Sequence, residues 1–133
     1  MNIGITGSGV CHRSMDPTPD VDTQFQMVKE CGAFDYFDKT PAVEERATYV
    51  AASEKHDLPI RAGGWYYTLG KDEDLLRTHL RLAHDLGSLA QNVQIGPNHA
   101  DGTPLSDQAL ADAYCELHES GQEIRRASCR ERV

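Results

Sequence analysis

The chain has 133 residues, with 13 Lys and Arg against 21 Asp and Glu and a formal net charge of −8. Hydrophobic residues make up 39% of it, and a chain of this length can bury roughly two thirds of its unfolded surface, which excludes a disordered tail or a disulfide-stapled miniprotein. The sequence has no run of about 18 apolar residues, the length that a membrane-spanning helix needs. Its negative charge repels the phosphate backbones of nucleic acids. We therefore expect neither a membrane nor a nucleic acid as its partner.

The cysteines indicate a reducing compartment. Cys11, Cys31, Cys115 and Cys129 form no CxxC pair, and the chain is large enough to fold without disulfides. Cys31 and Cys115 fall within helical patterns, where we expect a thiol to be buried as a small hydrophobe. The first segment, MNIGITGSGVCH, lacks the basic start and long apolar stretch of a signal peptide. The sequence thus predicts a cytoplasmic protein.

Short strand-like runs alternate with amphipathic helical stretches along the chain. The predicted strands are 3–6, 34–38, 58–62 and 90–95. The predicted helices run from residue 22 to a C-terminal Gly32, from Pro41 after an N-cap at Thr40, from Asp72 to Gly87, and from Asp107 after an N-cap at Ser106 to Gly121. This βαβαβαβα order predicts an α/β protein with parallel strands joined by right-handed crossovers.

Two architectures fit this order. A doubly wound open sheet is complete with about four or five strands, whereas a (β/α)8 barrel needs about 250 residues, of which this chain would supply half. Nucleotide binding is a third hypothesis, because Gly7-Ser8-Gly9 follows the first strand. The dinucleotide fingerprint would need a third glycine where His12 stands, and a helix that opens directly after the loop. The sequence therefore disfavours nucleotide binding.

A family resemblance is carried by two segments, HDLPIRAGGWYYTLGKDEDLLRTHLRLAHDLGS and NVQIGPNHADGTPLSDQALADAYCELHESG. They resemble the third and fourth βα units of xylose isomerase-like TIM barrels, the sugar phosphate isomerase/epimerase group. The resemblance implies that residues 1–123 are the N-terminal (βα)4 half of a truncated TIM barrel. It further implies a metal-dependent isomerase or epimerase of sugars or sugar phosphates. The alternative is a small self-contained α/β binding module without catalysis.

The resemblance also implies a cofactor. Members of the group bind a divalent ion of the Mn or Mg type through Glu, Asp, His and Glu ligands on later strands, and this ion polarises the oxygens of the sugar. Those strands are not in this chain, so no metal ligand and no catalytic residue is assigned. Many relatives place a His after the third strand, where this sequence has Gly63-Gly64-Trp65. We therefore expect no catalysis from this chain.

Four residues are candidates for sugar binding, because chemistry in a TIM barrel lies at the C-terminal ends of the strands. His99 could hydrogen-bond a sugar hydroxyl, or could pin a turn instead. Trp65 and Tyr66 could stack on a sugar face, or could pack in the core. Asp38 could accept a hydrogen bond from a hydroxyl, or could cap the helix that begins at Pro41.

Other polar residues have structural interpretations. His79 lies on the apolar stripe of its helix, so we expect a packing residue with a satisfied hydrogen bond rather than a ligand. The acidic run 72–74 matches the positive end of a helix dipole better than it matches a metal site. His12 lies in a long loop, where we expect simple solvation.

The last ten residues, 124–133, interrupt the pattern. They carry four Arg against one Glu and resemble the in-frame translation of a sequencing adapter, with Arg125 as a departure. We therefore expect a non-native basic tail, with a basic arm for an anionic partner as the alternative. A half barrel would leave two unpaired strand edges and an exposed apolar inner face, so we also expect self-association.

Overall fold

The computed structural model describes residues 2–11, 16–88 and 90–131, with the side chains of Ala62 and of residues 125–131 excepted. Helices and short strands alternate along this part of the chain. In chain order they are β1 (Gly4–Thr6), the single turn α1 (Gly7–Val10), α2 (Val21–Cys31), β2 (Tyr36–Asp38), a 3-10 turn (Val43–Glu45), α3 (Arg46–His56), β3 (Ile60–Ala62), β4 (Gly64–Tyr67), α4 (Glu73–Asp85), β5 (Asn92–Ile95) and α5 (Asp107–Glu131). The predicted α/β class is confirmed.

The strands pair in parallel and in chain order. β1, β2 and β3 form one sheet in that order, and β4 pairs with β5 in a second sheet. Only Gly63 separates β3 from β4, and its carbonyl accepts a hydrogen bond of 2.7 Å from the Asn92 amide. Residues 60–67 therefore form one irregular strand, which pairs with β2 through β3 and with β5 through β4. The parallel pairing predicted from the βα order is confirmed.

Gly63 is required at this junction by a close approach of two backbones. A Cβ at residue 63 would lie 2.4 Å from the amide nitrogen of Thr40 and 2.6 Å from the carbonyl carbon of Lys39. Backbone atoms cannot move aside as a flexible side chain can. The sequence predicts that the third strand ends at Ala62, which is too early, because Trp65 and its neighbours continue as strand β4 after Gly63.

The main core lies between the first sheet and helices α2 and α3. Phe37, the central residue of β2, stacks on Phe25 of α2 with the ring centroids 4.4 Å apart. Tyr49 of α3 meets both rings nearly edge-on, at 6.2 and 6.3 Å. Offset and edge-to-face aromatic contacts add stabilisation beyond the apolar area that they bury. The cluster is completed by Val28, Ala52, Leu58 and Ile60.

Helix α4 extends this helical layer along the second sheet. Its buried face includes Leu76 and His79, and Leu86 at its C-terminus packs against the α2/α3 core. His79 contacts the rings of Trp65 and Tyr67 on β4. α5 packs against α4 in turn. The helix α4 thus lies on the same side of the strands as α2 and α3.

The other side of the strands is polar, contrary to the expected apolar inner face. Side chains alternate across a strand, and in β5 the exposed positions are Asn92 and Gln94 while Val93 and Ile95 are partly buried. In β2, Phe37 enters the core, so Asp38 lies on the opposite side. Amides and a carboxylate therefore stand on the face away from the helices.

Two of the predicted helix ends are confirmed and two predicted boundaries are wrong. Gly32 follows α2 and Gly87 follows α4, each with a left-handed φ, of 68° and 70°, as glycine at a helix C-terminus favours. The helix expected at Pro41 begins only with the 3-10 turn at Val43. α5 continues through Gly121 to Glu131, so the predicted stop is wrong.

The cysteine prediction also fails in part. Cys31 and Cys115 are exposed on their helices, whereas Cys11 is buried and free. The backbone of residues 124–131 belongs to α5, and residues 132 and 133 lie outside the described part. Among the described helices, none combines the length and apolar composition needed to cross a membrane.

Candidate functional site

A groove of about 880 Å³ opens on the polar side of the strands. It runs past the C-terminal ends of β1 and β2 in the first sheet and along β4 and β5 in the second. The C-terminal ends of the strands are where open parallel α/β sheets bind their ligands. Its walls are formed by Thr6, Gly7 and Ser8 after β1, by Asp38, Lys39 and Thr40 after β2, by residues 63–66, and by Asn92 and Gln94 of β5, with Cys11, Thr18, Gln24 and Tyr49 behind them.

The β4–β5 wall presents hydrogen-bonding groups in register. Gly64 lies opposite Asn92, and Tyr66 lies opposite Gln94. All four residues are exposed, and the Tyr66 residue retains 59% of its accessible surface. A phenol and two amides thus stand side by side on the groove wall. Both amides can donate and accept hydrogen bonds.

Asp38 provides the carboxylate of the opposite wall. It ends β2 in register with Thr6 of β1, and burial raises the pKa of its carboxyl above the usual value. Within the described part of the chain this carboxylate has no ion-pair or hydrogen-bond partner. The cap role considered for Asp38 is wrong, because the following helix starts too far along the chain. Its oxygens are available to a ligand.

Lys39 follows Asp38 but its ammonium group is engaged elsewhere. Its Nζ atom lies 5.3 Å from the ring centroid of Tyr49, within the range of a cation–π contact. Burial raises the pKa of the Tyr49 phenol, and the charge of Glu45 adds to this shift. Tyr49 therefore remains neutral at physiological pH.

The structure places the two aromatic candidates differently. Trp65 lines the groove but its ring meets His79 at 4.8 Å between centroids, on the α4 side. Tyr66, the next residue along the strand, faces the groove. Of the two, Tyr66 offers the open ring face on which a sugar could stack, while Trp65 mainly packs.

A buried polar pair, Tyr67 of β4 and His79 of α4, lies between the second sheet and helix α4. The residue His79 is 1% exposed and its Nδ1 atom lies 2.9 Å from the Tyr67 hydroxyl. Burial lowers the pKa of His79, and burial raises the pKa of Tyr67 to about 12. The neutral imidazole therefore accepts the phenol hydrogen. The predicted packing role of His79 is confirmed.

Thr40 makes a second buried contact at the groove floor. The Thr40 residue is 2% exposed, and its hydroxyl donates a hydrogen bond of 2.8 Å to the side-chain oxygen of Gln91. The amide nitrogen of Gln91 is buried and makes no hydrogen bond of regular geometry in the described part, but the Gln91 side chain interacts with the Tyr67 phenol and opposes the effect of burial on its pKa. This contact replaces the N-cap role predicted for Thr40, because the hydroxyl points to Gln91 and not to a helix start.

His99 lies outside the residues that line the groove. Its ring stands against Gly70, where a Cβ would lie 2.3 Å from Cε1. Its Nδ1 atom is 3.3 Å from the Asp101 carboxylate, and the backbone of Ala100 donates to Leu69. These contacts hold the loop after β4 against the loop after β5. The geometry therefore favours the turn-pinning role of His99.

The described residues can be compared with the donors that a divalent metal ion needs. No group of three or more His, Cys, Asp or Glu side chains converges within residues 2–11, 16–88 and 90–131. Asp38 is the one carboxylate among the described groove residues, so the donors present do not fit the divalent ion that the resemblance implies. The acidic run 72–74 lies at the start of α4 instead, with Glu73 and Asp74 in its first turn, and the Asp72 carboxylate accepts from the Thr68 amide in the turn before the helix.

The glycine loop after β1 does not form a nucleotide fingerprint in the described chain. Gly7–Val10 makes one helical turn, in which the Thr6 hydroxyl accepts from the Gly9 amide. The next helix begins only at Val21, so the loop does not open it directly. His12 lies outside the described residues.

Comparisons with known proteins add no relative. No protein-family model, no curated protein and no solved structure matches this chain.

Proposed function

We propose that the groove binds the hydroxyl groups of a sugar. In this proposal the chain is the sugar-binding N-terminal half of a xylose isomerase-like barrel of the isomerase/epimerase group. The observation that carries the proposal is that Asp38, at the C-terminal end of β2, lines one groove together with Tyr66 of β4 and with Asn92 and Gln94 of β5. A carboxylate that accepts, amides that do both and an open aromatic ring suit a polyhydroxylated ligand.

The chain topology supports the barrel part of the proposal. A doubly wound sheet would reverse its strand order and carry helices on both faces. Here pairing follows chain order, and α2, α3 and α4 pack on one side of the strands. A self-contained binding module of the doubly wound type is therefore the less favoured alternative.

Calorimetric titration with D-xylose, D-fructose and D-ribose tests the binding proposal. We expect at least one of these sugars to bind to the 133-residue chain. Asn92→Ala and Gln94→Ala should each weaken binding about two- to tenfold, the effect of losing one hydrogen bond. Gln108→Ala is the control, because Gln108 bonds to Asp112 on α5. Failure of all three sugars to bind, or equal affinity in all variants, would contradict the proposal.

We further propose that this chain alone does not isomerise the sugar, because its groove offers a single carboxylate. The same samples, incubated with Mn²⁺ and followed by NMR of the sugar, should show no interconversion of aldose and ketose. Turnover that depends on the purified chain would overturn this part of the proposal while leaving the binding part intact.

Self-association through the sheet edges is a related prediction. Within the described strands, β1 pairs only with β2, and β5 pairs only with β4, and unpaired edges attract other strands. Ile3, next to β1, is 44% exposed. We expect the mean mass in light scattering to rise with protein concentration. Ile3→Lys should reduce this rise. Val43→Lys is the control and should leave it unchanged, because Val43 is 55% exposed but lies in the 3-10 turn and not in an edge strand. A constant monomer mass would contradict the prediction.

A further inference from the structure

The described strands form a row with two open ends. Residues 60–67 act as one irregular strand, so the chain provides four parallel strand positions in chain order. In the described part, β1 at one end pairs only with β2, and β5 at the other end pairs only with β4. Four positions are half of the eight that close a parallel barrel.

The outer edge of each end strand carries backbone groups that the described chain does not pair. The amides of Asn92 and Gly96 both donate to carbonyls on the β4 side. Successive residues of a strand direct their backbone groups to opposite sides, so Val93 and Ile95 direct theirs away from β4. Both edges can therefore receive a further parallel strand.

The two end strands also have matching faces. Ile5 of β1 packs against the α2/α3 core, and Thr6, the next residue, lines the groove. In β5, Val93 and Ile95 are half-buried while Gln94 lines the groove. If β5 paired in parallel with β1 of another copy, the apolar layer would continue on one side and the polar groove on the other.

Helix α5 has room for such a neighbour. In a right-handed βαβ unit the helix covers the two strands that it joins, and within the described part no strand follows α5. It packs on α4, but Leu110 and Leu117 are only half-buried and Tyr114 is 46% exposed. β1 of a second copy would take the place of the following strand, with α5 over the junction.

From these edges we infer that two copies of this chain close into one eight-stranded parallel ring, in which β5 of each copy pairs with β1 of the other. A two-fold axis relates the two junctions, so both edges are paired and assembly stops at two copies. Thr6 of the second copy then lies beside Gln94 of the first, and each sugar-binding groove is completed by its neighbour. The inference rests on the half-barrel part of the proposed function and adds to the predicted association which edges meet and how many copies join.

Analytical ultracentrifugation tests the number of copies. The chain mass is 14.7 kDa, and we expect the mean mass to rise with concentration and to level off at twice this value. Growth beyond two copies would show that the β5–β1 contact does not close, and a constant monomer mass would show that it does not form. Either result would overturn the inference.

Two variants test which edges meet. Ile3→Lys places a charge beside β1, and Val93→Pro removes an amide from the outer edge of β5 while the amides that donate towards β4 remain. We expect each variant alone to be monomeric. An equimolar mixture should form dimers again, because β5 of the first variant can still pair with β1 of the second. Dimers of either variant alone would mean that like edges pair, which would overturn the inference.

Amide hydrogen exchange gives the same information on the unmodified chain, without relying on the folding of a variant. The amides of Val93 and Ile95 should exchange at least tenfold more slowly above the dimerisation concentration than below it. The Asn92 amide, which already donates to Gly63, is the internal control. Unchanged exchange at Val93 and Ile95 in a dimer would place the interface elsewhere and overturn the inference.

Sugar titrations below and above the dimerisation concentration separate this inference from the proposed function. We expect D-xylose, D-fructose or D-ribose to bind the dimer at least threefold more tightly than the monomer. Equal affinity for both states would overturn the shared groove and leave sugar binding intact. A closed dimer that binds none of the three sugars would overturn the proposed function and leave the ring intact.

Discussion

Replacing Phe37 by Ala should lower the free energy of unfolding by about 3–5 kcal/mol. The Phe37 residue is 0% exposed, lies at the centre of β2 and contacts the rings of Phe25 and Tyr49. Removing the ring leaves a cavity between the sheet and two helices, which cannot collapse without moving both. Whole domains are stable by only about 5–15 kcal/mol, so this loss should remove a large fraction of the total stability.

Urea denaturation followed by circular dichroism measures this loss. Met27→Ala is the control, because Met27 is on α2 and is 38% exposed, and its loss should stay below about 1 kcal/mol. Equal effects of the two substitutions would mean that the aromatic cluster is not the main core.

The second large effect is expected at His79. His79→Ala removes the acceptor of the Tyr67 hydroxyl and leaves a buried donor without a partner, which costs about 1–3 kcal/mol. The lost contact with the Trp65 ring and the cavity add to this cost. We therefore expect a loss of more than about 2 kcal/mol in the same urea titration.

His79 should also make the stability depend on pH. Burial lowers its pKa in the folded protein below the usual 6.5, so below about pH 6.5 the unfolded chain binds the proton more readily. The free energy of unfolding should thus hold its full value above that pH and fall as the pH drops from 6.5 towards 5. Asp22 and Asp101, whose pKa values are lowered, lose their contributions only below about pH 4.

His79→Gln separates the histidine from other titrating groups. Gln keeps a hydrogen-bonding side chain near Tyr67 but does not titrate. Its curve of unfolding free energy against pH should therefore be flatter than that of the unmodified protein between pH 6.5 and 5. Parallel curves for the two proteins would show that His79 does not control this pH dependence.

Local signals in the sequence predict much of the fold. Glycines that end helices can be recognised because the left-handed backbone at Gly32 and Gly87 depends on the residue itself. The parallel order follows from alternating strands and helices. The N-cap at Thr40 fails because its hydroxyl bonds to Gln91, 51 residues away, a partner that no local pattern reveals.

The candidate site is predicted only in part. Asp38 and Tyr66 follow from the rule that strand ends carry the chemistry. Asn92 and Gln94 were missed, although their alternation with Val93 and Ile95 in AQNVQI indicates one polar and one apolar face. The packing of His99 on Gly70 joins two loops, so the sequence alone could not decide between its two roles.

The junction at Gly63 has a consequence for the groove. One wall, with Asp38, belongs to the first sheet, and the other, with Asn92 and Gln94, belongs to the second. The two walls are joined through one residue of strand. A sugar that bonds to both walls would act as a cross-link between the sheets, so its affinity would appear directly as resistance of the whole fold to unfolding.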